Sequence, residues 1–281
     1  LAWLYLGLGG FCLSWATLLI KWCQLPSLAV AAWRLLLATL LMGLWPAARP
    51  SPGLPIRVYA IGGLLLATHF ASWIASVGKL PVYLSVSLVT TSPLWVSLGS
   101  RWLWKEGIAW AGLALAFLGS ISLSLGTSAT QVAIEPVGLG LAWLGAWSMA
   151  GYLLWARHCG ASGVAYAWRV YAWAGLWLWL LAGFRGVPMW GYRAEQWGYL
   201  LALAVVPQLL GHTLILLAVR QGSASRASLS ILLEPVGTIA LAWVLMGERL
   251  GVYQMAGVSL TLIGLLMIAK QPGGDASPPE G

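Results

Sequence analysis

The sequence predicts an all-α integral membrane protein of ten transmembrane helices, arranged as two inverted-topology five-helix repeats around a central cavity. Three observations carry that prediction. Of 281 residues, 60% are hydrophobic and 8% charged, against about 25% charged in an ordinary soluble domain, too few to cover a water-facing surface. Ten runs of about 20 residues, enough for a helix to cross roughly 30 Å of hydrocarbon, are free or nearly free of charge. Finally, Ser87 to Gly119 and Ser230 to Gly264 repeat one design. Each has a polar residue before a proline inside an apolar run (Ser92-Pro93, Glu234-Pro235), a glutamate thirteen residues after it (Glu106, Glu248), and then a run with glycines seven apart (Gly112 and Gly119, Gly257 and Gly264).

In chain order the predicted spans are 2–22, 28–46, 57–77, 81–103, 107–126, 137–156, 163–183, 196–218, 224–246 and 251–269. None has the period-2 alternation of a membrane barrel, so helices must satisfy the backbone groups in lipid. The first run reads as a true span. No basic segment precedes it and no small-residue cleavage site follows it, and Leu1 in place of Met reads as a trimmed start. Residues 1–126 form the first predicted repeat, 127–136 the linker, 137–270 the second repeat and 271–281 a disordered tail without apolar content to bury. Cys12, Cys23 and Cys159 have neither disulfide nor metal spacing and read as packing residues.

The net charge of +8 would indicate nucleic acid in a soluble protein; here it is read against a bilayer and no nucleic acid is expected. With a cytoplasmic amino terminus, inner segments hold Arg49, Arg57, Arg101, Lys105, Arg157, Arg220, Arg226 and Lys270. Outer ones hold Lys21, Lys79, Arg185, Arg193 and Arg249. Eight against five favours both termini inside a cell membrane, taken as a prokaryotic inner membrane. Trp45, Trp102, Trp190 and Trp197 near span ends fit interfacial belts, and the 186–195 loop reads as an interfacial turn.

Five spans per half force the second half to start on the opposite side of the membrane. Echoes in the same order support the pairing: Ser14-Trp15 with Trp147-Ser148, Trp33-Arg34 with Trp168-Arg169, and His69 with His212. These features together resemble the drug/metabolite transporter superfamily, in its ten-helix EamA-type exporters, over roughly residues 1–269. The resemblance implies export of small amphipathic metabolites, amino acids among them. Ser92 stands where the second copy has Glu234, and the loop after Glu106 is three residues shorter, so the halves are not equivalent.

An ionisable side chain at membrane depth costs about 2.5–3.5 kcal/mol on insertion scales and usually faces a cavity or a partner. Glu234 shares a helical face with Ser230 and Thr238, beside a proline that removes a backbone donor. It can bind a substrate amine or carry a proton; the alternative is a structural pair with an arginine or histidine. His69 shares a face with Ser72, Trp73 and Ser76, and Gln208 lies one turn before His212. Both histidines are either site residues or bridges between helices. Trp15, Trp73 and Trp147 offer flat walls for stacking, and Ser92 is the counterpart of Glu234. Pro93, Pro207 and Pro235 are the expected hinges. Arg34 and Arg169 are read as snorkelling or pairing with helix ends. Glu106 and Glu248 are read as capping the helices that follow, with gating as the other reading. Gly112, Gly119, Gly257 and Gly264 are read as helix packing, a dimer contact included.

A secondary transporter follows from inverted repeats around a midplane site. No nucleotide motif, cofactor motif or metal spacing appears. The expected partners are a small-molecule substrate and the lipid bilayer, the chain being a monomer or homodimer. The alternative is an intramembrane enzyme acting on a lipid or lipid-linked substrate, which needs a clustered nucleophile, base or metal. The sole aspartate, Asp275, lies in the tail, the three histidines are scattered, and neither HExxH nor GxSxG occurs. A scaffold without transport would leave Glu234, His69 and His212 without a reason to be buried.

Overall fold

Ionisable and polar side chains are buried with an apolar core while many large apolar ones face out, as lipid surroundings allow. Buried groups include Arg34, His69, Gln208, His212 and Glu234, while Leu40, Ile61, Leu98, Leu180 and Leu266 face out. The computed structural model describes residues 2–48, 53–80, 82–125, 135–161, 163–220, 230–246 and 251–269, and among these every regular element is a helix. The tail at 271–281, most of the 127–136 linker, Arg49, Glu248, Arg226, Arg249 and Lys270 lie outside the described residues, as does the side chain of Ser230.

Ten rods follow in order: α1 (Ala2–Cys23), α2 (Ser27–Gly43), α3 (Ile56–Val77), a fourth rod of two pieces, α4 (Val82–Val89) and α5 (Ser92–Trp104), then α6 (Trp110–Leu125), α7 (Pro136–His158) and α8 (Val164–Phe184). In the eighth rod α9 (Ala194–Leu203) passes through a π-helical segment, Ala204–His212, into α10 (Thr213–Arg220). The last two are α11 (Ser230–Met246) and α12 (Val252–Ala269). Leu4–Cys23, Ile56–Val77, Pro136–His158 and Ala194–Leu217 are each long and apolar enough to cross a membrane alone.

The three prolines act differently. The single span expected at 81–103 is divided at Thr90-Thr91. There the Thr91 N–H reaches back only to Leu88 O (3.2 Å) and the Leu94 N–H only to Thr91 O (2.9 Å), and Pro93 has no N–H to offer. The threonine hydroxyls also bond back to the carbonyls of Val86 (2.8 Å) and Leu88 (2.7 Å), which already accept the threonines' own N–H groups, a pattern that bends a helix. Pro207 falls within the π segment, the wider turn that accommodates an interrupted ladder. Pro235 stays inside a helix that is α throughout, where it removes one backbone donor from the ladder.

Helix neighbours are set by close approach. α1 packs on the α9–α10 rod and on α11; α7 packs on α3 and on the α4–α5 rod; α3 and the α9–α10 rod flank α8 and α2 respectively; α2 packs on α8, and α6 on α12. The last pair is built on the glycines. A Cβ on Gly112 would stand 2.8 Å from the Gly264 carbonyl oxygen, and one on Gly119 2.7 Å from that of Gly257. The four glycines thus meet one another inside the chain. Helix ends on the same side are tied by ion pairs, Lys79 with Glu135 at 2.7 Å and Arg157 with Glu106. Glu106 therefore reaches across to the end of α7, a contact that local capping did not foresee.

Candidate functional site

Midway along the bundle, α1, α3, the α4–α5 rod, α7, the π segment and α11 enclose a cavity of about 20 Å³, enough for one water molecule. Its wall contains His69, Trp73, Ser92, His212 and Glu234, completed by apolar residues such as Leu13, Val89, Met149 and Ile231. Five of the eight residues singled out as substrate-binding from sequence are brought together here. The two histidines, far apart in sequence, have ring centroids 6.2 Å apart.

Each side chain is placed by its element. Gly145 has no side chain to keep α7 from α3: a Cβ there would lie 3.3 Å from that of Trp73. Its carbonyl oxygen is 2.9 Å from His69 Nδ1. Since a carbonyl only accepts, Nδ1 carries the hydrogen and Nε2 is the ring's remaining hydrogen-bonding atom. The His69 ring stacks on Trp73 at 5.7 Å and 19°, whose indole Nε1 has no partner in the protein. Thr238 Oγ1 donates to Ser14 O (2.9 Å) and holds α11 on α1, one turn from Glu234. Gly237 makes that contact possible, because a Cβ there would run into Ser14. Gly237→Val is therefore expected to push α11 off α1, costing about 1–3 kcal/mol; a thermal unfolding series in detergent checks it against Gly7→Val, where nothing lies within 4 Å of the added carbon.

Glu234 is 5% exposed and its Oε1 has no hydrogen-bond partner. The structural pair considered from sequence is absent: Glu234 and Arg34 interact electrostatically, yet Glu234 Oε1 and both terminal nitrogens of Arg34 are left unbonded. Arg34 corrects the sequence reading. It neither snorkels nor pairs with a helix end, being fully buried. Its Nε donates to Gln208 Oε1 at 2.8 Å, and its Cζ sits 4.3 Å from the Phe70 ring centroid. A lipid-facing side would have let it snorkel, but α2 buries Ala29, Val30, Ala31, Ala32 and Leu35 around it. Gln208, a sequence candidate, is not in the cavity wall but holds Arg34, and its own Nε2 has no partner. Arg169, by contrast, bonds the carbonyls of Ala165 (2.9 Å) and Ala48 (3.3 Å), as a helix-end arginine does.

Two tryptophans are placed elsewhere. Trp147 is 52% exposed and joins Trp95 and Trp143; two residues along α7 is about 200° around the helix, so the cavity meets Met149 instead. Trp15 packs partly buried on the core, and α1 presents Leu13 and Ala16 to the cavity. On the side of the site where α2 begins, Trp33 meets Trp179, Trp190 and Trp197 edge-on at 4.6–5.0 Å, and its indole donates to Met189 O (2.8 Å). This cluster joins α2, α8, α9 and the 186–195 loop, so part of that loop packs on the bundle. A second, apolar cavity of about 190 Å³ lies against the break in the fourth rod, lined by Thr90, Thr91, Pro93, Leu94, Trp110, Phe117 and Leu232 among others. Among the described residues no three His, Cys, Asp or Glu side chains come together as a metal site.

The bundle is all-helical among the described residues and buries ionisable side chains at and beside its cavity, where a membrane-spanning protein ordinarily keeps them. Residues 136–270 match the model of the EamA-like transporter family, a match that points to a membrane transporter of the drug/metabolite type. A solved protein crystal structure is similar in fold, with a TM-score of 0.80 at 17% identity over 95% of this chain and 96% of the other. No curated protein matches the sequence.

Proposed function

We propose that the protein is a secondary transporter, an exporter or exchanger of small amphipathic metabolites such as amino acids, working by alternating access of two inverted repeats around the midplane site and coupled to protons through Glu234. The observation that carries this reading is the set of buried hydrogen-bonding atoms without a protein partner: Trp73 Nε1, Ser92 Oγ and Glu234 Oε1 in the cavity wall, and, behind Phe70, whose ring meets both histidines, Arg34 Nη1 and Nη2 and Gln208 Nε2. Buried polar atoms are ordinarily satisfied, and a substrate with both polar and apolar parts satisfies these. Inverted repeats find support in the helix neighbours, which exchange when each rod is replaced by the one five later. The contact of α1 with the α9–α10 rod answers that of α7 with α3, and α1 on α11 answers α7 on the α4–α5 rod. Cytoplasmic termini and a prokaryotic inner membrane rest on the eight-to-five distribution of basic residues.

In the cycle, the tryptophan cluster at one end opens while the opposite end closes, and the break in the fourth rod with the π segment absorbs the movement. Proteoliposomes containing the purified protein, screened with amino acids including aromatic and cationic ones, with and without a pH gradient, test the proposal. Faster passage of at least one compound than in empty vesicles is the expected result. If none passes faster and none raises the melting temperature, the reading fails.

A further inference from the structure

We propose that Arg34 is the receptor for a carboxylate group of the substrate, so that the site takes zwitterions, with the carboxylate on Arg34 and the amine on Glu234. The inference rests on the transporter reading and adds a residue and a required chemical group to it. A guanidinium has five N–H donors in a planar fork. In Arg34 one of them, on Nε, is used by Gln208 Oε1 at 2.8 Å, and the Phe70 ring 4.3 Å from Cζ fixes the plane. Nη1 and Nη2 are buried without a protein partner. Two such nitrogens side by side match the two oxygens of a carboxylate.

The same molecule contains the contrasting case. Ala167-Trp168-Arg169 repeats Ala32-Trp33-Arg34, but Arg169 Nη1 is bonded to backbone carbonyls, whereas Arg34 is held by one bond and left with its end free. A purely structural arginine would be expected to look like Arg169. Glu234 supplies the complementary half, since its Oε1 is also unbonded and the two charges interact without touching. A zwitterion between them pairs both buried charges at once, which a simple amine or a simple acid cannot do.

The test compares leucine and phenylalanine with their carboxamides and their decarboxylated amines, measuring both uptake into proteoliposomes and the melting temperature of the purified protein. Removing the carboxylate charge is expected to reduce uptake at least about tenfold and to abolish the thermal shift, because a site built around a polar group rejects the analogue that lacks it. Arg34→Lys, which keeps the charge but not the fork, is expected to narrow that preference about tenfold. Amides or amines that cross and stabilise as well as the amino acids overturn the assignment, as does an Arg34→Lys protein with unchanged preference. The analogue comparison on the unmodified protein decides the matter even where the variant does not fold. Leucine and phenylalanine failing both to cross and to stabilise also overturns it, while other compounds passing in the same vesicles leaves the transporter reading standing.

Discussion

Glu234→Gln is expected to abolish net transport driven by a pH gradient while exchange of labelled for unlabelled substrate continues. The amide keeps the length and shape of the side chain and its oxygen still accepts from the substrate's ammonium, so exchange is weakened and not lost, but it cannot take up and release a proton. Glu234 is suited to that task because it faces the cavity with Oε1 free of protein partners. A carboxylate committed to a structural ion pair would have to break that pair in each cycle. The substitution removes a charge from membrane depth, where a carboxylate costs about 2.5–3.5 kcal/mol on insertion scales, so gross unfolding is not expected, and a melting curve of the variant checks this directly. The measurement is paired: uptake against a pH gradient, and exchange with no gradient, in the same vesicles. Equal loss of both would leave Glu234 only as the partner of the substrate amine and remove it from coupling; survival of gradient-driven uptake would remove it from both.

How much of this site was legible in the sequence depends on how few ways a residue type can be accommodated in a membrane. Glu234, His69 and His212 stood out because apolar surroundings tolerate them only against a cavity or a partner, and all three line one cavity. Ser92 followed from its alignment with Glu234, and Trp73 from lying one turn beyond His69. Tryptophan on its own says little: it suits lipid, interface and interior alike, and Trp147 faces outward. Arg34 departs from its sequence expectation for a physical reason. A long cationic side chain a third of the way into a span normally extends to the interface, and only a surrounding of small, wholly buried residues denies it that route. The signal was present in the alanines at 29, 31, 32 and 38, all of them fully buried. The prolines were legible as irregularities, but their outcomes were not, because neighbouring hydrogen bonds decide them. The Thr90 and Thr91 hydroxyls turn one irregularity into a break, a π segment takes up a second, and α11 carries the third within its helix. The helix neighbours likewise needed three dimensions, as nothing in linear order tells that α6 lies on α12.

That pairing leads to the second large effect. Gly264→Leu is expected to prevent α6 and α12 from meeting and to reduce the yield of folded protein sharply. An added Cβ at Gly264 would stand 2.5 Å from both the Gly112 carbonyl oxygen and the Ala116 nitrogen. These are backbone atoms within a helix, so no rotamer change relieves the collision and the helices themselves must separate. In lipid there is little hydrophobic drive to hold two apolar helices together; close packing does it, and small residues at the crossing are what allow the packing. Overpacking at one site costs about 1–3 kcal/mol, and separation of the helices would also strip the contacts at Gly112, Gly119 and Gly257 along the same seam. Gly7→Leu supplies the control, on an exposed position of α1 with nothing within 4 Å of the added carbon, and should melt with the unmodified protein. Gly264→Ala should fall between the two. If Gly264→Leu and Gly7→Leu melt together, α6 and α12 do not touch through their glycines, and the seam that closes this side of the bundle must be built in another way.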